Sequence, residues 1–273
     1  ENFEGAATTS SKTAADDLAS ITSLSADSED EEEESSGAAY YGRFSAEEDN
    51  LDLDGNYEES DEPAIPEVTE ALLRSLPKAE LHCHLDGSVR VETILELAER
   101  HKVRLPASDG EALRKVLVVG EDCRSLEDYL KAFEITLSVM QDAESLERIA
   151  YELVADAADE NIRYLEVRYS PILHTRRGMR LTHIVDAVND GLKRGEREFG
   201  VMTGVIICGM RNINPEISYQ LAELAVAYKN RGVVAFDLAG AETDHPAKKH
   251  RDAFFLILRN NINCTLHAGE SYG

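Results

Sequence analysis

The residues able to do chemistry gather in three short stretches of this 273-residue chain. The first is Glu80-Leu81-His82-Cys83-His84-Leu85-Asp86-Gly87. On a strand, residues two apart project to one face, so His82 and His84 point together and Cys83 points away. A separation of roughly 7 Å lets both imidazoles converge on one metal ion, and neutral imidazole suits Zn²⁺. Asp86 continues the same parity to the strand's end, where Gly87 allows a turn. The second stretch is Thr265-Leu266-His267-Ala268-Gly269-Glu270. His267 ends an expected strand, and Glu270 follows on a loop where Gly269 gives the backbone room. Three histidines from two strand ends make a nitrogen shell with space for water, as catalytic zinc requires. A nearby carboxylate that is not a ligand can shuttle protons from that water to a substrate. The third stretch, Val233–Gly240, reads as a buried strand ending in a glycine that lets a ligand approach the backbone closely. Plainer readings exist for each: structural histidines on a strand, a lone buried His beside a surface Glu, a Gly that only turns the chain. Together, the first two stretches favour metal-assisted hydrolysis.

The elements that must position these residues alternate in type. Strands are expected at Ala79–Leu85, Tyr164–Tyr169, Thr203–Cys208, Val233–Leu238 and Cys264–His267. Val91, Ile94, Leu95 and Ala98 have helical spacing, predicting a helix over Val91–Lys102. Further helices are expected at about 109–118, 125–141, 144–161, 181–199, 215–230 and 246–260. Five strands separated by helices imply parallel pairing through right-handed crossovers. Two architectures satisfy this, an open doubly wound sheet and a (β/α)8 barrel. No GxGxxG or GxxxxGK[ST] follows any strand, which weakens a dinucleotide or nucleotide-phosphate reading. Polar residues at strand C-terminal ends (His82, His84 and Asp86; Arg168; Asp237 and Gly240; His267 and Glu270) favour the barrel, an α/β fold that builds its sites there. A full barrel takes eight strands and about 250 residues, so the expectation is about five of eight β/α units, with the chain truncated.

Charge divides the chain. Residues 1–70 hold 22 acidic and 2 basic residues, net -20, so of the overall -25 only -5 remains for residues 71–273. Residues 1–66, centred on the acidic run Glu29–Glu34, offer little apolar surface to offset chain entropy and are expected to be a disordered tail, with residues 67–273 as the folded unit. The acidity argues against nucleic acid and membrane surfaces as partners. No apolar run reaches the roughly 18 residues of a spanning helix, and the polar start lacks the basic and apolar regions of a signal peptide. Glu1 in place of Met predicts a processed chain or a piece of one. Cys83, Cys123, Cys208 and Cys264 show no CxxC pairing, so reduced thiols in the cytoplasm are expected.

Leu76–Ser88, which contains the His82-Cys83-His84-Leu85-Asp86 segment, resembles the opening motif of the adenosine deaminase family, zinc-dependent members of the amidohydrolase superfamily. Val233–Gly240 is similar to the family's substrate-contacting strand and Thr265–Glu270 to its third-histidine motif, in the same order, so the likeness covers about residues 70–270. The resemblance implies that His82, His84 and His267 hold one Zn²⁺ per chain. His84 and Asp86 would contact the substrate, Asp86 through a ribose hydroxyl, and Gly240 would meet the purine through its backbone. Glu270 would protonate ring nitrogen N1 as water attacks C6, and loss of ammonia would leave inosine from adenosine, or deoxyinosine from deoxyadenosine. The adenine deaminase branch more often carries Glu at the place of Asp86, and the branch acting on methylated AMP tends to carry Asn, so Asp86 favours adenosine. A further family histidine and an Asp-Asp pair fall beyond Gly273, so residues 1–273 alone are expected to be inactive. The alternatives are a catalytically dead binder, a deaminase of adenine or a modified AMP, and an amidohydrolase of a non-purine. His101, His174, His183, His245 and His250 are expected at the surface. No protein partner follows from the sequence.

Overall fold

The computed structural model describes residues 68–118 and 125–271. The acidic stretch 1–66 and Cys123 lie outside the described residues. A short helix, α1 (Glu70–Ser75), comes first and is capped by Thr69, whose hydroxyl accepts from Leu72 N. Sequence periodicity gave no sign of it, since six residues are too few to establish a period. Strand β1 (Lys78–His84) follows, then α2 (Val91–His101) and α3 (Gly110–Leu117). Helix α2 buries Val91, Ile94 and Ala98 as their spacing implies, together with Leu97, while Leu95 is only partly buried.

The long helix expected over 125–141 is instead two pieces, α4 (Leu126–Leu130) and α5 (Phe133–Val139), separated by a turn at Lys131 and Ala132. Helix α6 (Ala143–Asp159) starts at Asp142, whose carboxylate accepts from Ser145 N at 3.0 Å, and leads into β2 (Ile162–Tyr169). The chain continues through α7 (Leu181–Phe199), β3 (Met202–Met210), α8 (Pro215–Ala227), β4 (Val233–Ala239), α9 (Arg251–Arg259) and β5 (Asn263–Cys264).

The five strands form one sheet in the order β1-β2-β3-β4-β5, every pair parallel. A doubly wound sheet reverses its strand order at a switch point. Here the order runs in sequence without reversal, which is the arrangement of (β/α)8 barrels. Strand β4 is buried along nearly its whole length and β3 over most of it, as expected of parallel strands covered on both faces. The outer helices pack closely: a Cβ on Gly191 of α7 would lie 2.1 Å from the Glu147 carbonyl of α6. Gly191 is therefore a contact requirement between two helices and not a break in one.

Strand β5 is shorter than the expected Cys264–His267. Its direction nevertheless persists, because Thr265 N donates to Phe236 O at 2.9 Å and His267 N to Leu238 O at 3.1 Å. Alternate amides thus stay hydrogen-bonded to β4 as far as His267, which fixes that histidine at the C-terminal end of the sheet.

Candidate metal and substrate site

The three histidines meet. His82 and His84, on one face of β1, bring Nε2 to 2.9 and 3.1 Å from His267 Nε2. Ligands about 2.0–2.1 Å from a shared ion in a tetrahedral shell lie about 3.4 Å apart, so the spacing fits one small metal ion. His82, His84 and His267 could therefore hold a metal. Cys83 points the other way, as strand parity requires, and meets Ser88 Oγ at 3.3 Å.

Burial and neighbouring charge lower the pKa of both His82 and His84, favouring the neutral form that ligates. Desolvation, then His267 and His82, push the His84 pKa down to about 4. Desolvation and the Arg168 guanidinium lower that of His82. Behind the cluster, Asp237 at the end of β4 places Oδ2 2.7 Å from His267 Nδ1. That leaves Nε2 of His267 facing the other two rings, the second-sphere arrangement that orients a ligating histidine. Asp237 also accepts from Thr265 Oγ1 at 2.9 Å and lies 3.2 Å from Arg168 Nη1. Burial alone would raise the Asp237 pKa, but His267, Thr265 and Arg168 together bring it down to about 2. Arg168 also donates Nη2 to Leu81 O at 2.9 Å, tying β2 to the histidine strand.

The cluster opens into a cavity of about 520 Å³, which Asp86, Gly240 and Glu270 also line. This volume falls in the range of small-molecule sites. Asp86 is buried with Oδ1 free of any hydrogen bond, and burial raises its carboxyl to about 6. Gly240 has φ 92°, and a Cβ there would meet Asn212 Oδ1 at 2.9 Å and Met210 Cε at 3.0 Å. The glycine at the end of β4 is thus required on two counts, backbone conformation and space. Every candidate site residue read from the sequence reaches this one cavity.

Sequence reading missed its apolar wall. Leu130, Phe133 and Leu137, from the two pieces of the broken helix, line the cavity, and the Phe133 ring lies edge-on to His84 with centroids 6.3 Å apart. Their i, i+3, i+7 spacing was visible, but it does not distinguish packing on the core from facing a ligand. Two histidines expected at the surface are buried. His174 donates Nδ1 to Met140 O at 2.9 Å, and His250 meets Ser218 Oγ at 2.9 Å and Arg211 O at 3.2 Å. Both lie on single 3-10 turns packed under longer elements, a burial that helical periodicity cannot reveal. Neither joins the cluster.

Residues 77–273 match the family described as "Adenosine deaminase". A Dictyostelium discoideum protein named probable adenosine deaminase is 44% identical over 204 residues, 75% of this chain and 26% of that one. The Enterococcus faecalis adenosine deaminase is 44% identical over 203 residues, 74% of this chain and 60% of that one. Among solved structures, a Burkholderia ambifaria amidohydrolase with bound Zn superposes with a TM-score of 0.64 at 26% identity, over 76% of this chain and 57% of that one. The Arabidopsis N6-mAMP deaminase gives 0.63 at 29% identity, over 74% of this chain and 62% of that one. The chain spans about three fifths of the length of its bacterial relative.

Proposed function

The chain belongs to the adenosine deaminase family, and from that premise we propose that it carries the metal-binding and proton-donating part of a site that converts adenosine hydrolytically to inosine. The observation that carries this reading is the convergence of three Nε2 atoms on one wall of a cavity that a buried carboxyl and a loop carboxyl also face. Zinc is the metal the nitrogen donor set suits; when bound, it supplies a water activated for attack near neutral pH.

The chain's own residues do the rest. His82, His84 and His267 present their Nε2 atoms, with Asp237 orienting His267. Asp86 offers its unpaired oxygen to a ribose hydroxyl. The bare backbone at Gly240 lets the purine lie against the end of β4, and the Leu130, Phe133 and Leu137 wall keeps bulk water off its other side. Glu270 is the proton donor to N1, so that the ring can accept the electrons displaced by attack at C6; a proton from the attacking water passes to the C6 amino group, the C6–N bond breaks and ammonia leaves. Adenosine is preferred to adenine because Asp86 would have no hydroxyl to bind in a free base. Methylated AMP remains the second reading, favoured by the likeness to the Arabidopsis N6-mAMP deaminase.

Among the described residues no carboxylate joins the three histidines to complete a shell. Residues 1–273 alone are therefore proposed to bind zinc weakly and turn over little adenosine. No helix among the described residues is long and apolar enough to cross a membrane. A cytoplasmic setting is proposed from the free thiols of Cys83, Cys208 and Cys264. The test is zinc stoichiometry and adenosine-to-inosine turnover, measured on residues 1–273 and on a version continued through three further β/α units. Turnover by the continued version alone supports the reading. Zinc bound with no turnover of adenosine by either rejects adenosine as the substrate.

A further inference from the structure

The loop that carries Glu270 is held from outside the cavity. Gly269 sits at φ 81°, so Ala268–Ser271 departs from the line of β5 in a conformation that no strand neighbour supports. Three consecutive amides of this loop meet one carboxylate. Glu242 Oε1 accepts from Gly269 N at 3.1 Å, and Oε2 accepts from Glu270 N at 2.9 Å and from Ser271 N at 3.0 Å. Bonds from amides to an ionised carboxylate are stronger than those between neutral groups. The Ser271 and Gly269 amides hold the Glu242 carboxyl below its ordinary range, so it is charged at neutral pH.

A cation completes the arrangement. The buried Arg211, just past β3, donates Nη2 to His267 O and Nη1 to His245 O, and lies 3.7 Å from Glu242 Oε1. An Arg–Glu pair therefore brackets the backbone from His267 to Ser271. One partner holds the carbonyl of a histidine in the cluster, and the other holds the amides around Glu270. Neither side chain lines the cavity, so neither touches a ligand there.

We propose that Glu242 is a positioning residue for Glu270, fixing the reach of its carboxyl relative to His267 by gathering the amides of residues 269–271. This rests on the reading of Glu270 as proton donor. A small displacement of a reacting group costs on the order of 10²-fold in rate, which sets the scale of the expected effect.

The experiment uses Glu242→Ala in the continued protein, with Glu242→Gln as a milder variant should the first fail to fold. Backbone amide exchange at residues 269–271 is expected to speed up selectively. The kcat should fall on the order of 10²-fold while KM stays within about 3-fold and zinc content is unchanged. In a Glu270→Gln background the same change should cost less than about 3-fold, because the residue it positions is already disabled. A loss that multiplies in that background, or that tracks zinc content or melting temperature, overturns the proposal in favour of general loop support. An unchanged kcat overturns it as well. Should Glu270→Gln itself keep full activity, the proton-donor reading fails and this proposal with it. That result is told apart from failure of the positioning role alone, in which Glu270→Gln is inactive and Glu242→Ala is not.

Discussion

Replacing Asp237 with Ala tests whether the group behind the histidines is as interdependent as its geometry indicates. The Asp237 side chain is fully buried and that of Arg168 is 3% exposed. Removing the carboxylate leaves the guanidinium with Leu81 O at 2.9 Å and Thr265 Oγ1 at 3.4 Å, two neutral partners for a buried charge. Breaking a buried ion pair from one side costs about 3–5 kcal/mol. For a fold of this size each kcal/mol moves the melting midpoint by about 2–4 °C, so a fall of about 6–20 °C is expected. Unfolding followed by circular dichroism measures it. Removing both charges in Asp237→Ala/Arg168→Met is expected to recover much of the loss, since no charge is then stranded. Zinc affinity, titrated against a competing chelator, should fall about 10- to 100-fold in Asp237→Ala because His267 loses its orienting partner. A single variant melting within about 2 °C of the parent, or a double variant that loses the sum of the two singles, refutes the reasoning.

Burial lowers the His174 pKa from 6.5 to about 4, so between those values the unfolded chain binds the extra proton; its stabilising contribution is complete above about 6.5 and is lost toward pH 4, by up to about 3 kcal/mol. Urea titrations of the parent and His174→Leu at pH 7 and pH 4 should show a flatter pH dependence in the variant, and equal slopes would refute the assignment. Asp86 has the opposite sign: burial raises it from 3.8 to about 6, so the metal-free protein loses up to about 3 kcal/mol as pH rises through 6. Asp86→Asn should then unfold later than the parent at pH 8 but not at pH 4, while binding nucleoside more weakly; a variant less stable at pH 8 contradicts this. Gly191→Ala puts a Cβ 2.1 Å from the Glu147 carbonyl and 2.9 Å from Ala150 Cβ, so despite alanine's better helix propensity it should cost about 1–3 kcal/mol in chemical denaturation; a more stable variant would show that α6 and α7 separate freely.

Alternation along β1 was enough to aim His82 and His84 to one side, because a period of two is a property of the extended backbone. The sequence also marked the glycine at the end of β4 and, through three ordered motifs, the family. The alternation of strand and helix left two architectures open; the polar residues at the strand ends favoured the barrel, and the unreversed order of the sheet agrees with it. The packing showed that His174 and His250, expected at the surface, are buried, and it brought Nε2 of His82 and of His84 against that of His267. It also turned Asp237, a polar residue at a strand end, into the partner of His267, Thr265 and Arg168, the last of these 69 residues away in sequence. Glu242 and Arg211 carried no local signal, since a carboxylate beside a loop looks the same whether it faces water or three amides brought to it from 27 to 29 residues further on. Periodicity records which face of an element is covered, and it is silent on what covers it. The packing of β4 against the path of β5 supplies that answer, which is why the histidines were legible in the sequence and the residues that hold them were not.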